Sequence, residues 1–371
     1  MHIVFICDPI DKQSAGIYQY TIQVVQHLWK LNTKHRLSFI TLNSIVILDH
    51  IPATPLPNTL KFLTNDPIRT FITLPRLINK LNPDIVIEPA HFGPFNLKKS
   101  IKRITVIHDL TPILYPQFHP FLSRFLQKLF LPTIIKKAQL LITNSANTTK
   151  DILNTYPNTK FKTKSILLGK DLIFKPTINK NILEKYKITT PYLLTVATLE
   201  PRKNLTTLLQ AFSLLKKRKP SNTKLVLIGG EGWKNNQLKK AIDHHSFKND
   251  IILTSYMERK DMPAIFTQCE IFIYPSIYEG FGLPLLEAMA CEAACISANN
   301  SSLPEVGGDA VLYFQTMNPN DLMDKIEKIL TNPILKEELK VKSLHQAKKF
   351  SWEKYTYEFM DILEKLGEGK I

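Results

Sequence analysis

Cysteine and long apolar runs are both scarce in this chain of 371 residues. The four cysteines lie in apolar strand or helix contexts with no histidine or cysteine ligands arranged around them, which argues against a disulfide framework and against zinc. No run of 18 apolar residues occurs, and the opening MHIVFIC reads directly as a strand. We therefore expect no membrane span and no secretory leader, and we predict a cytoplasmic protein.

Acidic residues are few in the first half of the chain. Residues 1–185 contain 24 lysines and arginines against 10 acidic residues, whereas residues 186–371 contain 24 against 22. The net charge of +16 therefore belongs mainly to the first half. A basic domain is typical of proteins that bind nucleic acid, an anionic membrane or an anionic substrate. Because no nucleic-acid module signature is present, we favour the membrane and expect no nucleic acid, with a lysine-rich solubilising surface as the alternative.

The length and composition predict two globular domains. Hydrophobic residues make up 44% of the chain and charged residues 22%, and 371 residues are long for a single core. Both halves alternate short apolar strands with helical patterns, as doubly wound parallel sheets do. An irregular segment from Gly169 onward separates them. We predict domains over 1–168 and 169–350, followed by a C-terminal helix over 351–371.

The most informative stretch is IFIYPSIYEGFGLPLLEAMA, which begins at Ile271. An apolar strand is followed by a loop containing proline and two glycines and then by good helix formers, with Pro284 suited to the first turn. Phe281, Gly282 and Leu283 then present backbone N–H groups at a helix N-terminus. Such amides bind phosphate well, so we expect one here.

Two glutamates, Glu279 and Glu287, bracket this loop in an E-x7-E pattern. Since a carboxylate is repelled by a phosphate, we expect both to accept hydrogen bonds from hydroxyl groups of a sugar or ribose. For Glu287 alone the alternative is an acid favoured by the dipole of its helix.

With this string the sequence resembles the retaining, nucleotide-sugar-dependent glycosyltransferases of family four, over nearly the whole chain. The resemblance implies an α/β chain with the GT-B fold, in which two Rossmann-like domains face a central cleft and the last helix crosses back onto the first domain. It implies that the first domain binds the acceptor and the second the nucleotide sugar. It also implies that Glu279 faces the donor sugar and Glu287 holds the ribose.

Two cations stand in the loop TLEPRKN before a predicted helix. A helix N-terminus favours acids, so Arg202 and Lys203 need another partner, and a diphosphate supplies one. Lys203 matches the family's lysine, whereas Thr198 occupies the family's arginine position, and we suggest that Arg202 takes that role. The same wording resembles a bacterial O-antigen and lipopolysaccharide mannosyltransferase-like subset, which favours a mannosyl donor.

Two histidines follow predicted strands of the first domain, where ligands of open α/β sheets bind. His108 lies in VIHDLTPI, which matches the context in which the family places a histidine against the donor sugar. A histidine there can bond a sugar hydroxyl or move a proton. His91 is a candidate for the acceptor cleft, with an exposed loop histidine as the alternative.

Three further positions are predicted to lie beside the donor. Gly16 opens a helix where the backbone can approach a ligand closely, and the family has a glycine pair there, of which Ala15 replaces the first. Gly230 lies in a loop compatible with close approach of the nucleotide, with an ordinary turn as the alternative. The resemblance implies that Tyr256 lies near the base.

Residues 118–137 combine an apolar stripe with basic side chains. The apolar stripe at helical spacing consists of Phe121, Leu122, Phe125, Leu126 and Leu129. Positive charge is supplied by Arg124, Lys128, Lys136 and Lys137. Such a helix is suited to lie on the anionic inner face of a membrane, and core packing is the alternative.

The sequence contains no D-x-D motif, so the usual carboxylate pair that holds a divalent metal on a nucleotide diphosphate is missing. We therefore expect no metal and no cofactor, with the two cations and the helix amides stabilising the leaving group. In the family view Glu279 orients the sugar and His108 assists. The predicted function is retaining, metal-independent transfer of a hexosyl group, with mannosyl favoured, from a GDP- or UDP-sugar to a glycan or lipid-linked acceptor in cell-surface polysaccharide or lipopolysaccharide synthesis. A nucleotide-sugar epimerase and a catalytically dead basic scaffold are the alternatives.

Overall fold

The computed structural model describes residues 1–12, 15–42, 45–48, 50–55, 69–233, 235–255 and 257–371. The chain divides into two compact units. The first contains Met1–Leu114, Phe121–Gly169 and Ser351–Ile371, and the second contains Tyr115–Pro120 and Lys170–Phe350.

The first unit is built around a parallel sheet. Its strands are β1 (His2–Ile6), β2 (Arg36–Thr41), β3 (Val46–Ile47), β4 (Ile51–Pro52), β5 (Thr54–Pro55), β6 (Ile85–Glu88), β7 (Lys102–Ile107), β8 (Leu140–Thr143) and β9 (Thr163–Ser165). Among the described residues the sheet has seven strands in the order β5-β2-β1-β6-β7-β8-β9, and β3 and β4 form a separate antiparallel pair.

Helices connect these strands. They are α1 (Asp8–Lys12), α2 (Ala15–Leu31), α3 (Leu74–Leu81), α4 (Thr111–Leu114), α5 (Phe121–Lys137) and α6 (Ala146–Thr155), with a π-helical turn Arg69–Thr73 before α3 and 3-10 turns at Pro116–Phe118 and Pro157–Lys162. The central strands are buried along nearly their whole length, as expected for a parallel sheet covered on both faces. One apolar cluster joins β1 to α3, and another joins β7 to α5 and α6.

The second unit repeats the design. Its strands are β10 (Tyr192–Val196), β11 (Lys224–Ile228), β12 (Ile251–Thr254), β13 (Ile271–Tyr274), β14 (Cys295–Ala298) and β15 (Val311–Phe314). In the described part of this unit the six strands are parallel and ordered β12-β11-β10-β13-β14-β15. Relative to the chain this is the order 3-2-1-4-5-6 of a doubly wound dinucleotide-binding sheet. The predicted fold class is confirmed.

The helices of the second unit alternate with its strands. They are α7 (Lys180–Lys185), α8 (Leu205–Arg218), α9 (Asn236–Asp243), α10 (Met262–Thr267), α11 (Leu283–Ala290), α12 (Leu303–Gly307), α13 (Pro319–Leu330) and α14 (Pro333–Ala347), with 3-10 turns at Pro201–Lys203, Lys248–Asp250 and Arg259–Asp261.

The last helix, α15 (Trp352–Gly367), belongs to the first unit and packs against α2. Ser351 caps it by accepting a hydrogen bond from the amide of Lys354. The hydroxyl groups of Tyr20 on α2 and Tyr355 on α15 are 2.6 Å apart and buried, so a polar contact as well as aromatic packing holds this helix.

One segment differs from the predicted division of the chain. Tyr115–Pro120 lies inside the range 1–168, which the sequence assigned to the first domain, but its contacts place it in the second unit. The ring centroids of Tyr115 and Tyr278 are 5.2 Å apart, and those of His119 and Trp233 are 5.7 Å apart. Aromatic packing of this kind is invisible in the local sequence pattern.

Candidate active site

Two cations and a glutamate meet in the second unit, at the carboxyl ends of β10 and β13. Arg202 and Lys203 belong to the 3-10 turn before α8, and Glu279 lies in the loop between β13 and α11. Lys203 Nζ lies 2.6 Å from Glu279 Oε1, and Arg202 Nη1 lies 2.9 Å from Glu279 Oε2. The structure therefore brings together three of the four residues predicted to be catalytic.

Two residues that the sequence analysis missed complete this cluster. Glu200 Oε1 accepts a hydrogen bond from Arg202 Nη2 at 2.7 Å. The hydroxyl group of Tyr274 donates to Glu279 Oε1 at 2.9 Å and accepts from Lys203 Nζ at 3.3 Å. Both residues are buried. A glutamate two positions before the arginine was a usable signal, whereas the last residue of an apolar strand offered none.

Backbone contacts fix the two loops against each other. The carbonyl of Arg202 accepts from the amide of Ile277 at 2.9 Å, and its guanidinium donates to the carbonyl of Tyr278 at 2.7 Å. The side chain of Asn204 donates to the carbonyl of Pro275 at 3.0 Å. The cations and the glutamate are thus held by main-chain geometry as well as by their own charges.

The charges in the cluster set the protonation state of Glu279. Burial alone would raise the pKa of Glu279, but the positive charges of Arg202 and Lys203 outweigh burial and lower the pKa to about 2. Burial and the neighbouring Arg202 lower the pKa of Lys203. Glu279 is therefore ionised at neutral pH with both oxygens accepting hydrogen bonds, which suits it to orient charges and hydroxyl groups rather than to attack carbon.

A glycine-rich turn leads from Glu279 into α11. Gly282 has a φ of 110°, a conformation that favours glycine, and a β-carbon there would lie 2.8 Å from Leu303 Cδ2, so the Leu303 side chain would also have to shift. The helix begins at Leu283. Pro284 has no N–H and the amide of Leu285 donates to the carbonyl of Gly282 at 3.0 Å, so the predicted phosphate site would consist of the amides of residues 281–283. Phe281 contributes its amide only, because its ring is buried against Phe350.

Two serines hold the loop that carries Glu279, and neither was predicted. The amide of Glu279 donates to Ser301 Oγ at 3.0 Å. Ser302 Oγ donates to the carbonyls of Glu279 and Phe281 at 3.0 and 2.8 Å. These contacts fix the backbone between the glutamate and the helix amides.

The second glutamate of the pattern, Glu287, is buried on α11. Its Oε1 accepts a hydrogen bond from Arg259 Nη2 at 3.0 Å, and the same guanidinium lies 3.3 Å from Asp171 Oδ2. Burial raises the pKa of Glu287, while the positive charge of Arg259 acts in the opposite direction. The partners Arg259 and Asp171 were not predicted from the sequence.

The structure gives limited support to the remaining predicted donor contacts in the second unit. Gly230 accepts a hydrogen bond from the amide of Leu199 at 3.0 Å, and no atom lies within 4 Å of a β-carbon built on it. The steric need for glycine falls instead on Gly229, where a β-carbon would lie 1.9 Å from the carbonyl oxygen of Ala197. Tyr256 lies outside the described residues.

His108 directly follows β7 in the first unit. Its Nε2 lies 2.6 Å from the carbonyl oxygen of Pro89. Since a carbonyl only accepts, Nε2 carries the hydrogen and Nδ1 is the acceptor nitrogen. The ring packs edge-on against Tyr20, with centroids 4.8 Å apart. Burial outweighs the hydrogen bond to Pro89 and lowers the pKa of His108 to about 4, so the imidazole is neutral at pH 7.

The other two predicted positions of the first unit differ in their surroundings. His91 is partly buried, with Nε2 3.0 Å from Gln127 Nε2 on α5, so it is not the exposed loop histidine considered as the alternative. Its Nδ1 is buried with no partner among the described residues, and burial lowers its pKa. Gly16 is an exposed residue in the first turn of α2, and no atom lies within 4 Å of a β-carbon built there.

No group of three or more histidine, cysteine, aspartate or glutamate side chains in the part of the chain that the structure describes is arranged to hold a metal ion. The four cysteines are free and buried. Among the helices of the described ranges, none combines the length and the apolar character that crossing a bilayer requires.

Comparison with known proteins agrees with this geometry. Residues 178–346 match the family model for glycosyl transferases group 1. The chain is 30% identical to the O-antigen chain mannosyltransferase B of Escherichia coli, over 96% of this chain and 97% of that protein. Sucrose-phosphate synthase from Thermosynechococcus elongatus superposes with a TM-score of 0.79 at 17% identity, covering 100% of both chains.

A further structural match is HepE from Anabaena, solved in complex with UDP and glucose. It superposes with a TM-score of 0.77 at 15% identity and covers 98% of this chain and 100% of that chain. At such identities the solved structures establish the fold alone, and the sequence relatives establish the family. The chain belongs to the glycosyl transferases group 1 family and is a glycosyltransferase with the GT-B fold.

Proposed function

We propose that this enzyme transfers a hexosyl group, with mannosyl the first choice, from a GDP- or UDP-sugar to a glycan or lipid-linked acceptor in O-antigen or lipopolysaccharide synthesis. Transfer proceeds with retention and without a metal ion. The cluster of Arg202, Lys203 and Glu279 beside the amides of α11 carries the proposal. The name of the similar E. coli mannosyltransferase supports the sugar and the pathway, and the HepE complex supports a nucleotide-sugar donor.

The second unit would bind the donor diphosphate through charge. A diphosphate carries more negative charge than Glu279 and competes with it for Arg202 and Lys203, while the amides of residues 281–283 donate hydrogen bonds to a phosphate oxygen. Negative charge on the diphosphate grows as the sugar–phosphate bond breaks. The two cations and the amides therefore bind the transition state more tightly than the ground state, which is the condition for catalysis.

Glu279 and His108 would orient the sugar and take no covalent part. The low pKa of Glu279, about 2, keeps it an acceptor of hydroxyl hydrogen bonds. The neutral ring of His108 offers Nδ1 as a second acceptor, since Nε2 donates to the carbonyl of Pro89. In the front-face mechanism the departing phosphate takes the proton of the acceptor hydroxyl, and the acceptor attacks from the same side. We place acceptor binding, including His91, in the first unit.

A thermal-shift panel tests the donor and the metal together. GDP-mannose, UDP-glucose and a dTDP-sugar would be compared with and without EDTA, and the anomeric configuration of the product would be read by NMR. We expect one nucleotide sugar to stabilise the protein equally in both conditions and the product to retain the donor configuration. Stabilisation that disappears with EDTA contradicts the metal-free mechanism, and an inverted product contradicts retention.

We also propose that α5 contacts an anionic membrane. Four of the five side chains in its apolar stripe are exposed, by 75% for Phe121, 65% for Leu122, 53% for Phe125 and 55% for Leu129, and the fifth, Leu126, is partly buried. The core alternative is therefore wrong for these four residues, and the core is contacted by the opposite face of the helix, through residues such as Leu131. Basic side chains on the same helix supply charge complementary to acidic lipids.

Vesicle sedimentation tests this surface. The variant Phe121→Ala, Phe125→Ala, Arg124→Glu, Lys128→Glu should lose sedimentation with phosphatidylglycerol vesicles and keep its thermal unfolding temperature. A control with the same change of charge on an exposed part of α14 carries Ile334→Ala, Val341→Ala, Lys340→Glu and Lys342→Glu. The control should sediment like the unaltered chain. If the α5 variant sediments like the control, α5 is not the membrane contact.

A further inference from the structure

One arginine of the second unit joins two carboxylates that are far apart in the chain. Arg259 Nη2 donates to Glu287 Oε1 at 3.0 Å and lies 3.3 Å from Asp171 Oδ2. Its guanidinium also lies over the ring of Phe174, 4.7 Å from the centroid. None of these three partners is close to Arg259 in sequence. The guanidinium is therefore fixed from three directions by the fold.

We propose that Arg259, itself held by Asp171, orients the Glu287 carboxylate so that Oε2 accepts a ribose hydroxyl of the donor nucleotide. This inference rests on the proposed function, because that function supplies the nucleotide. It adds two positioning residues to the site and gives each oxygen of Glu287 a separate task.

The geometry leaves one oxygen of Glu287 for a ligand. Oε1 is engaged by Arg259, and among the described residues no donor reaches Oε2. A carboxylate held by one oxygen presents the other in a fixed direction, which lowers the entropy cost of binding a hydroxyl group.

The two residues that contact the Arg259 guanidinium besides Glu287, Asp171 and Phe174, are themselves held in place. Asp171 Oδ1 accepts a hydrogen bond from the amide of Ile173 at 3.1 Å, so its Oδ2 faces Arg259 in a defined orientation. Phe174, which lies under the guanidinium, is buried and packs edge-on against Phe266. A lysine at position 259 keeps the positive charge but lacks the planar fork that contacts both carboxylates at once.

Charge gives a second reason for the bridge. The charged groups that face Glu287 are the cation of Arg259 and the carboxylate of Asp171. The thiol of Cys291, which directly follows α11, also faces Glu287, and Lys170 adds positive charge near that thiol. Without Arg259, the buried Glu287 would remain beside the like charge of Asp171. Burial and the nearby negative charge of Asp171 both favour the protonated form of Glu287, which accepts hydroxyl hydrogen bonds less well than the carboxylate.

Ribose discrimination measures this role directly. Binding of GDP and UDP would be compared by calorimetry with binding of their 2′-deoxy and 3′-deoxy analogues, at pH 7 and pH 9. We expect the unaltered chain to prefer ribose by about tenfold or more over one of the analogues, since hydrogen bonds to charged groups contribute most strongly. Arg259→Met should lose most of this preference at pH 7 and recover part of it as the pH rises to 9, because a higher pH favours the ionised form of Glu287.

Control variants separate the possible failures. Glu287→Gln should lose the preference at both pH values, and Arg218→Met, which removes an exposed arginine paired with Asp324 and Glu327, should keep it. Arg259→Lys, the variant to use if methionine prevents folding, should lose about half of the preference on a logarithmic scale. If Glu287→Gln loses the preference but the Arg259 variants keep it, the positioning role is wrong and the proposed function stands. If Glu287→Gln keeps the preference, the ribose role of Glu287 fails and this inference fails with it.

Discussion

At the scale of single residues, the feature that matters most is a buried acid held between two cations. Glu279 contacts Lys203 at 2.6 Å and Arg202 at 2.9 Å. Glu200 contacts the other side of the Arg202 guanidinium, so two carboxylates balance the two cations. An ion pair of this kind contributes less to stability than its short distances suggest, because burial costs solvation. Under the proposed function, its value lies in holding two cations beside the amides of α11, where they could bind a diphosphate.

Replacing Glu279 with glutamine should cost both stability and activity. The side chain keeps its size but leaves Arg202 and Lys203 partly uncompensated, and breaking a buried pair costs about 3 kcal/mol. We expect the free energy of unfolding to fall by about that amount and sugar transfer to fall by about 100-fold, as for loss of a positioned charge. Urea unfolding and a transfer assay would measure the two effects. Full-speed transfer by this variant would contradict the assigned role.

The contribution of Glu279 to stability should depend on pH. The pKa of Glu279 in the folded chain, about 2, lies below its ordinary value of 4.5. Its contribution is therefore present above pH 4.5 and lost as the pH falls toward 2. The stability difference between the unaltered chain and Glu279→Gln should shrink over that range. Glu338→Gln, which removes an exposed acid paired with Lys342, is the variant for comparison.

At the scale of elements, α11 depends on the turn before it. Gly282 sets the direction in which the helix starts, and Ser302 binds the turn through two carbonyls. The tight loop and the buried Ser302 fix the backbone at the start of the helix before any ligand arrives. Preorganisation of this kind lets the amides stabilise charge without further rearrangement.

Replacing Gly282 with alanine should disturb this start. A φ of 110° strains any other residue, and the added β-carbon would meet Leu303 at 2.8 Å. We expect a loss of stability of about 1–3 kcal/mol and nucleotide binding weaker by about tenfold, because the amides move. Gly230→Ala is the matched control for stability, since its β-carbon meets no atom within 4 Å. Equal unfolding temperatures for the two variants would show that the turn is not strained.

At the scale of the whole molecule, the chain contains two parallel sheets, each in its own compact unit. The cationic cluster, the helix amides and the Arg259 bridge all lie in the second unit, whereas His108 and the exposed stripe of α5 lie in the first. Donor recognition should therefore depend on the second unit. The basic first unit carries the features that suit an acceptor and a membrane.

Hydrogen exchange with and without nucleotide should show this division. Adding GDP or UDP should protect amides in residues 199–204 and 279–286 by about tenfold or more, because ligand binding suppresses local opening. Amides of the strand Thr163–Ser165 should serve as the internal reference and remain unchanged. Protection confined to residues of the first unit would contradict donor binding by the second.

The sequence predicted much of the fold and part of the site because both leave local signals. Alternating apolar strands and helices identified the two doubly wound sheets, and the string around Glu279 and Gly282 located the loop and helix that the structure contains. The Arg202–Lys203 pair was conspicuous because cations are unusual before a helix. By contrast, nothing in the sequence indicated that Gly229 is the glycine required by packing against Ala197, and the donor contact at Gly230 stays a prediction.

The sequence by itself determined the architecture, the family and the loop on which the chemistry depends, because periodicity, turn residues and short motifs act within a few positions of one another. Only the tertiary structure decided which charges pair. Arg202 and Glu279 are separated by 77 positions, and Arg259 meets Glu287 and Asp171 across 28 and 88 positions. Tertiary structure also decided that the stripe of α5 faces outward, since helical spacing shows that a face is apolar but not what covers it. Parallel sheets bring the ends of distant strands to one edge, so these contacts depend on the packing of the whole unit.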